Sequence, residues 1–573
     1  MKSTTALLGY FSPLSTKPTQ KSELKISSNG PKYCIAEIMR VICADIDPNG
    51  PGQEFEKVDW FEQKKIKVKN KHINAGSFAL INPAPNLKNQ KIITIKLHIF
   101  PTMTKGTKQV ILHWNQLSLG IDPNQKLYLI IGEECILEEV KTEIKEWKSI
   151  TIILDVQNNL VKLISQVKSP FTEVKEKNSI KKTVKKLNLP NHSNPLLLAA
   201  QLEKYGHELQ TTLHYNGKIV SPMIIDNKSQ ILSHWDFSLK MKTEKIIDVG
   251  QLGCNGKLIN LPMRASTDHN WNGSCHSWLQ DKSQYGAIHF HEDDITDCNW
   301  STDLTVEVPE DAKSGYYIAR LTSEGVQSDI PFFIGVNEKM VKADILFIAP
   351  IATYMAYANT HIKFDSHNTE NLFEAPVTLS EDELYLNENR ALGLSHYDTH
   401  ADGSGVVYSS AKRPILNMRP GLYTFNYVND THIIKWLENR SIQYEVATDE
   451  QLHNQGIRLL SNYKVIITAS HPEYYSTQMW DAIFAFQNSG GRHMYLGGNG
   501  FYWRIAYSDL HCGIIENRRG ASGVRTWEGE PGEHHLSFNG ELGGLWRANG
   551  RAPQMLVGNG FCATYFLKST HFK

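Results

Sequence analysis

The sequence lacks several features that would point directly to a class of function. No C-x-x-C pair occurs among its eight cysteines, which disfavours a zinc ribbon or a dithiol redox site. No apolar run approaches the roughly 18 residues of a membrane-spanning helix, and no signal-peptide core follows Met1. The 60 basic and 60 acidic residues cancel, so no net field favours nucleic acid or an anionic membrane. These absences predict a cytoplasmic protein with isolated thiols and neither nucleic-acid nor membrane partners.

Two common catalytic signatures are also missing. No G-x-S-x-G elbow is present, and no cysteine follows the apolar run at residues 465–469, which disfavours serine and cysteine hydrolases of the common α/β types. Gly403 and Gly405 indicate a phosphate loop only weakly, because no strand precedes them and no Lys-Ser/Thr pair follows. The candidates for chemistry are therefore other side chains.

The domain organisation is predicted from length and from strand spacing. A chain of 573 residues is too long for one core and predicts about three domains. Short strands predict a β-sandwich over residues 66–235, with a short helix at 194–205, and a further β-domain over 236–337. Strands alternate with helices over 338–573, which is typical of a doubly wound α/β domain. Residues 1–65 are predicted to be a β-segment that completes the 236–337 domain.

Residues 465–499 organise the α/β domain. Residues 465–469 are a run of branched apolar residues, an amphipathic segment follows, and a second apolar run precedes Gly497. Strand, helix and strand in this order predict two parallel strands joined by a right-handed crossover. Ligands bind beyond the carboxyl ends of such strands. The polar residues that follow those ends are His471, Glu473 and Asn499.

Two tyrosines follow a third predicted strand end. The strand at 343–349 is followed by Tyr354 and Tyr357, and a long connection leads on to Tyr397. The alternative is that these tyrosines are amphipathic packing residues. For Glu473, the alternative is that its carboxylate only caps the helix behind it.

Two polar clusters are further candidates. An H-x-D-x-H-x-D pattern is formed by His396, Asp398, His400 and Asp402, and it either binds metal or is a polar glycine-containing loop. His289 and His291 share one face of a predicted strand, as two zinc ligands would. Their alternative is a solvated strand end held by the carboxylates next to them.

Several short motifs occur together along most of the chain. They are Asp236-Phe237-Ser238, Gly286-Ala287-Ile288-His289-Phe290-His291, Tyr397-Asp398 with Asp402-Gly403-Ser404-Gly405-Val406, Ser470-His471-Pro472-Glu473-Tyr474, and Gly543-Gly544-Leu545-Trp546-Arg547 through Val557-Gly558. This combination resembles the large (beta) subunit family of N,N-dimethylformamidase. The resemblance implies a lectin-like β-sandwich, an immunoglobulin-like β-domain and an amidotransferase-like doubly wound α/β domain, in the order given above.

The resemblance also implies a mononuclear Fe(III) site. Its ligands are Tyr357, Tyr397 and Glu473, with His471 and Asn499 as catalytic neighbours. Tyr354 stays the alternative to Tyr357, since both tyrosines occur in one motif, and His289 and His291 are expected outside the ligand set. Phenolate and carboxylate oxygens are hard donors suited to ferric iron.

The reaction that the resemblance implies is iron-dependent hydrolysis of the C–N bond of a small N-substituted amide. The implied partners are a small helical subunit and further copies in an oligomer. The chain ends 12 residues after Phe561, where family members continue, so the domain at 338–573 is expected to be shortened at its C-terminus. That shortening keeps an alternative open, in which the protein is a non-catalytic homologue that binds carbohydrate or protein.

Overall fold

The computed structural model describes residues 4–169, 177–206, 209–337, 339–364, 377–421, 426–520 and 526–561. Among these residues the protein is mostly β-structure. No helix in those ranges is both long and apolar enough to cross a membrane. The C-terminal shortening predicted for residues 338–573 stays a prediction, because residues 562–573 lie outside the described residues.

A four-stranded parallel sheet, which we call the central sheet, positions the candidate site. Its strands, in spatial order, are Glu445–Thr448, Ile345–Ala349, Val465–Thr468 and Arg492–Tyr495. The chain enters in an inner strand, adds a neighbour on one side and then crosses to the other side. The reversal of direction lies between Ile345–Ala349 and Val465–Thr468, and open parallel sheets bind ligands at such a switch point.

The strand–helix–strand prediction for residues 465–499 is confirmed. The helix Thr477–Asn488 begins after Ser476, whose hydroxyl accepts a hydrogen bond from the Met479 backbone N–H. Met479, Ile483 and Phe486 are buried, but Phe484 is 44% exposed, so it lies on the solvent side of the helix. The strand Arg492–Tyr495 then pairs in parallel with Val465–Thr468, as the crossover rule requires.

The described residues contain seven α-helices. They are Ile351–Ala356, Glu381–Glu388, Tyr427–Asn439, Asp449–Gln455, Ile457–Leu460, Thr477–Asn488 and Gln554–Val557. Most of the longer ones connect strands of the central sheet. A second small sheet lies beside them and consists of Tyr408–Ser410, Ile514–Asn517, Trp503–Tyr507 and Tyr474–Tyr475.

The largest sheet assembly occupies the middle of the chain. Its strands are Phe78–Ile81, Ile92–Pro101, Gln109–Trp114, Leu117–Ile121, Lys126–Ile131, Glu134–Lys141, Lys148–Asp155, Leu160–Val167, Lys177–Thr183, Leu196–Leu198, Gly217–Asp226, Ile231–Asp236, Lys245–Asp248, Gly256–Ile259, Met263–Ser266 and Ala287–Phe290. Strand pairing in this sheet runs past residue 235, where the boundary of the sandwich is predicted. Lys245–Asp248 pairs with Ile231–Asp236, and Ala287–Phe290 pairs with Gly217–Asp226, so strand pairing continues to Phe290.

The prediction of a helix at residues 194–205 is wrong. The structure has two short strands there, Leu196–Leu198 and Gln201–Lys204. The three leucines are buried on both faces of the sheet, with Leu197 in a different apolar cluster from Leu196 and Leu198. Burial by strands on either side overrides the helical preference of leucine.

The first part of the chain pairs with strands that follow the large sheet. One sheet contains Leu7–Ser12, Lys21–Ser28 and Leu304–Glu307, and another contains Ser15–Thr16, Val326–Ile334, Gly315–Ser323, Tyr33–Cys43, Glu54–Lys57 and Lys64–Lys67. Their facing side chains share one apolar core, which includes Phe11, Ile38 and Phe332. The domain ranges themselves, including 1–65 and 338–573, stay predictions.

Candidate functional site

Three oxygen-bearing side chains meet beyond the carboxyl ends of the central sheet. The hydroxyl oxygens of Tyr357 and Tyr397 are 2.5 Å apart. The Tyr357 hydroxyl donates to Glu473 Oε2 at 2.8 Å, and the Tyr397 hydroxyl donates to Glu473 Oε1 at 3.1 Å. All three residues are at most 8% exposed. We call this group the tyrosine–glutamate cluster, and it contains the three residues that the resemblance names as ligands.

The switch point of the central sheet brings Tyr357 and Glu473 together. Tyr357 follows the strand Ile345–Ala349 through the short helix Ile351–Ala356, and Glu473 follows the neighbouring strand Val465–Thr468. The Glu473 backbone N–H donates to the Thr353 hydroxyl at 3.1 Å, which ties the turn to that helix. The two side chains therefore arrive from adjacent strand ends.

Tyr397 reaches the same point on a loop that folds over the edge of the sheet. The His396 backbone N–H donates to the Ala356 carbonyl at 2.9 Å, directly beside Tyr357. The Asp398 carboxylate accepts hydrogen bonds from the backbone N–H groups of Ser395 and His361. Two members of the predicted H-x-D-x-H-x-D pattern therefore shape this loop.

Arg413 joins the Tyr397 loop to the rest of the domain. Its guanidinium is 1% exposed and donates to the backbone carbonyls of Leu392, Leu394 and Ser410 at 2.8, 2.8 and 3.1 Å. Burial lowers the pKa of Arg413 to about 10, so it stays charged at neutral pH. The guanidinium therefore ties residues 392–394, which precede Tyr397, to residues 410–413.

Replacing Arg413 by methionine is expected to lower the free energy of unfolding by about 3–5 kcal/mol. Methionine fills similar space but leaves the carbonyls of Leu392, Leu394 and Ser410 buried without donors, at a cost of about 1–3 kcal/mol each before relaxation. Chemical denaturation followed by tryptophan fluorescence measures the change. Lys412→Met is the control, because Lys412 lies 3.9 Å from Asp297 in a weak, partly exposed ion pair. Equal losses in the two variants would contradict the role of Arg413.

Tyr354 belongs to a different hydrogen-bond network. Its hydroxyl lies 3.0 Å from the Tyr316 hydroxyl and donates to the Asp430 carboxylate. Asp430 in turn accepts hydrogen bonds from the backbone N–H and the hydroxyl of Ser470 at 2.7 Å. Of the two tyrosines that the sequence leaves open, Tyr357 is therefore the one in the cluster.

The electrostatics of the cluster favour one carboxylate and two neutral phenols. Burial, with the charge of Glu473, raises the pKa of Tyr357 and Tyr397 above the ordinary value of a phenol. Burial alone would also raise the pKa of Glu473, but the hydrogen bonds from His471 and Tyr357 hold it below its ordinary value. A cation that binds these oxygens must therefore displace a proton from each phenol.

Arg519 and Tyr474 complete the surroundings, and sequence reasoning missed both as site residues. The Arg519 guanidinium lies 4.4 Å from the Tyr397 ring centroid and donates to the Tyr474 hydroxyl at 3.3 Å. The Tyr474 hydroxyl donates to the Tyr397 hydroxyl at 2.9 Å. The sequence signal that could have indicated Arg519 is the charged pair Arg518-Arg519 directly after the buried strand Ile514–Asn517.

His471 lies at the rim of the cluster, and Asn499 lies on a loop that is bonded to the His471 turn. His471 Nε2 is 3.2 Å from Glu473 Oε2, and the His471 side chain is 19% exposed against 2% for Glu473. The loop that carries Asn499 is held to the His471 turn by a backbone bond of 3.1 Å from Gly498 to Ser470. No hydrogen bond among the described residues joins the Asn499 side chain to the three oxygens, so its predicted role stays a prediction.

The predicted histidine pair lies in a separate place. His289 and His291 contact Asp402 and Ser404, and none of the described contacts joins either ring to the tyrosine–glutamate cluster. The expectation that both lie outside the iron ligand set stays a prediction. Two residues of the predicted H-x-D-x-H-x-D pattern, His400 and Asp402, lie beside His289 and His291.

Comparison with known proteins gives matches over the whole chain. A family described as "N,N-dimethylformamidase beta subunit-like, C-terminal" matches residues 263–572. The N,N-dimethylformamidase beta subunit of an Alcaligenes species is 30% identical, with 99% of this chain and 81% of that protein covered. The subunit of the same name from Paracoccus aminophilus is 29% identical over the same shares. Among solved structures, a native heptameric SAP-like pentraxin from Limulus polyphemus matches 27% of this chain and 77% of its own at 10% identity, and its TM-score of 0.20 carries no conclusion.

Proposed function

The chain belongs to the N,N-dimethylformamidase beta-subunit family, and from that premise we propose that it hydrolyses the C–N bond of a small N-substituted amide, formamide-like, to an acid and an amine. The observation that carries the proposal is the convergence of Tyr357, Tyr397 and Glu473 on one buried point. The three residues come from positions up to 116 apart in the chain, and their contact buries a carboxylate between two phenol hydroxyls. Burying a charged carboxylate costs free energy, and a site built for chemistry accounts for that cost.

The donor set fits a mononuclear Fe(III) ion. Oxygen ligands about 2 Å from one small ion lie about 2.8 Å from one another. The two phenol oxygens here are 2.5 Å apart, and each lies near its own oxygen of Glu473, at 2.8 Å from Oε2 and 3.1 Å from Oε1. Two phenolates and one carboxylate carry three negative charges, which match ferric iron. When bound, iron would polarise an amide carbonyl and lower the pKa of water in the site.

The residues around the cluster have distinct proposed tasks. His471 links buried Glu473 to the more exposed side of the site, and we assign it the proton that the leaving amine needs. Asn499, on the loop held to the same turn, is assigned to hydrogen-bond the oxyanion that develops on the carbonyl. Arg519 places a buried positive charge against the Tyr397 ring, which favours the phenolate form.

We also propose the type of each domain and the partner subunits. The parallel central sheet, with its switch point, supports an amidotransferase-like doubly wound α/β domain. The antiparallel sheets before it support a lectin-like sandwich and an immunoglobulin-like β-domain. The beta-subunit name of the relatives supports a second, small helical subunit and a larger oligomer. A cytoplasmic location is part of the same proposal.

Protein produced with iron supplied is expected to contain about one iron per chain and to release amine from dimethylformamide, N-methylformamide or a related amide. The physical reason is that the cluster supplies the three anions ferric iron needs. Removal of iron with a chelator should abolish amine release, and Fe(III) should restore it where Zn(II) does not. Colourless, iron-free protein under these conditions would overturn the iron assignment.

The same measurements decide between the proposed enzyme and the alternative of a non-catalytic binding protein. Iron-loaded protein without activity on any amide of the panel would favour the alternative. Amide hydrolysis in protein that contains no iron would instead preserve the reaction and reject the metal.

A further inference from the structure

Three imidazoles and three carboxylates are buried together away from the tyrosine–glutamate cluster. They come from two segments, one at the end of the large sheet and one in the loop after Tyr397. They are His289, His291, Asp293, Asp294, His400 and Asp402, each at most about a tenth exposed in its side chain. We call them the histidine cluster.

Three members of the histidine cluster have the spacing of ligands around one ion. His289 Nε2 and His291 Nε2 lie 3.1 and 3.8 Å from the same oxygen of Asp402, Oδ2. The three ligand atoms all lie within 4.8 Å of one another. Two imidazole nitrogens and one carboxylate oxygen form a donor set that binds divalent first-row transition metals. We propose that His289, His291 and Asp402 form a second metal site, for a divalent transition-metal ion.

The contacts behind these ligands hold them in the orientation that metal binding requires. His291 Nδ1 lies 3.1 Å from Asp294 Oδ2, and Asp294 Oδ2 accepts a 2.6 Å hydrogen bond from the Ser77 hydroxyl. A carboxylate only accepts, so the proton of a neutral His291 ring sits on Nδ1 and the lone pair of Nε2 faces Asp402. A carboxylate behind a ligating histidine is the usual support in metal sites.

The proton count also leaves room for a cation. The Ser404 hydroxyl lies 2.5 Å from Asp402 Oδ1 and 3.0 Å from His291 Nε2, but it has one proton to give. If Asp402 receives that proton, the Nε2 lone pair faces only other lone pairs. Asp402 Oδ2 already accepts a hydrogen bond from the Thr102 hydroxyl at 2.5 Å, so the group that a metal ion beside it would satisfy is the His291 Nε2 lone pair.

The net charge of the histidine cluster also favours a bound cation. Three buried carboxylates with neutral imidazoles would hold three negative charges in a desolvated place, which is costly without cations. His400, whose Nδ1 lies 2.7 Å from Asp293, can supply one positive charge, and its ring stacks on His291 at 3.8 Å. A divalent ion at the triad would balance the two charges that remain.

An ion held there would be reachable. His289, Asp402 and Ser404 line a cavity of about 640 Å³, and its walls also include Trp271 and Trp527. Since three protein ligands leave coordination positions free, water or a small oxygen- or nitrogen-bearing molecule can occupy them from the cavity. This site would join the large sheet to the loop that carries Tyr397.

Cobalt(II) is the probe for this site, because its d–d absorption reports nitrogen and oxygen ligands directly. Full-length protein stripped by a chelator is expected to bind one Co(II) with visible d–d bands in the Glu473→Gln background, where the tyrosine–glutamate cluster is disabled. His289→Gln and Asp402→Asn are expected to weaken this binding by about tenfold to a hundredfold or more. His113→Gln is the matched control, since His113 lies in the same sheet assembly and belongs to no group of three or more potential metal ligands among the described residues.

X-ray absorption of the Zn(II)-loaded wild-type protein keeps the proposal testable if a variant fails to fold. Scattering from two imidazole rings is expected, whereas the tyrosine–glutamate cluster offers no imidazole among its three oxygens. Failure of wild-type protein to bind Co(II) or Zn(II), or unchanged binding in His289→Gln, would overturn the second site. The histidine cluster would then be a hydrogen-bonded joint between two segments. Neither result bears on amide hydrolysis, whose readout is amine release.

Discussion

Glu473→Gln is expected to lower amide hydrolysis about a thousandfold or more and to remove most of the iron. The carboxylate accepts hydrogen bonds from both phenols and lies 3.2 Å from His471 Nε2. Glutamine has the same shape but carries no charge, and its amide nitrogen would meet a donor on at least one side. Loss of one buried charged partner costs about 3–5 kcal/mol, and 4 kcal/mol corresponds to about a thousandfold in rate.

Glu541→Gln is the matched control for this change. Glu541 lies in the same part of the chain, contacts Thr477 and Arg504, and is more exposed, at 27% of its side chain. It touches no member of the tyrosine–glutamate cluster, so activity and iron content should stay within about twofold of wild type. Amine release and metal analysis on both variants give the comparison. Full activity in Glu473→Gln would exclude this carboxylate from the chemistry.

The local pattern of the sequence predicted the central sheet because the pattern is set by burial. Residues 465–469 are apolar because the strand Val465–Thr468 is covered on both faces, and the parallel partner follows from the crossover rule. The sequence did not indicate that strands such as Lys245–Asp248 pair across the boundary predicted at residue 235. Strand pairing between distant segments has no local signature.

Some residues of the candidate site were likewise indicated by the sequence, and others were not. Strand ends alone indicated His471, Glu473 and Asn499, while the resemblance supplied Tyr357 and Tyr397 as a pair with Glu473. Nothing local distinguishes Tyr357 from Tyr354, because both lie in one short motif and both are buried. Their separation depends on Tyr316 and Asp430, which are contributed by other elements. Arg413 and Arg519 were missed because the carbonyl groups and aromatic rings that a buried guanidinium contacts lie elsewhere in the sequence.

Tyr357→Phe and Tyr354→Phe form a matched pair that tests the ligand assignment. Each removes one buried hydroxyl, and the two positions are three residues apart at the end of one helix. Tyr357→Phe is expected to lose the tyrosinate-to-iron absorption band, most of the iron and about 10³-fold in amide hydrolysis. Tyr354→Phe is expected to keep iron and activity but to lower the free energy of unfolding by about 1–3 kcal/mol, because the Asp430 carboxylate loses a buried donor.

A second readout of Tyr357→Phe is the pH dependence of iron binding. Burial raises the pKa of Tyr357 and Tyr397, so both phenols are protonated at neutral pH, while the pKa of Glu473 is lowered and its carboxylate is already charged. If Fe(III) binds as proposed, the wild-type protein is therefore expected to release two protons, and its apparent affinity should rise about a hundredfold per pH unit between pH 5 and 7. Tyr357→Phe should release one proton and show a slope of about tenfold per unit. Competition with a chelator of known pH behaviour measures both slopes. A slope of two protons that persists in Tyr357→Phe but falls to one proton in Tyr354→Phe would make Tyr354 the ligand. The end of the helix would then have to rotate when the metal binds.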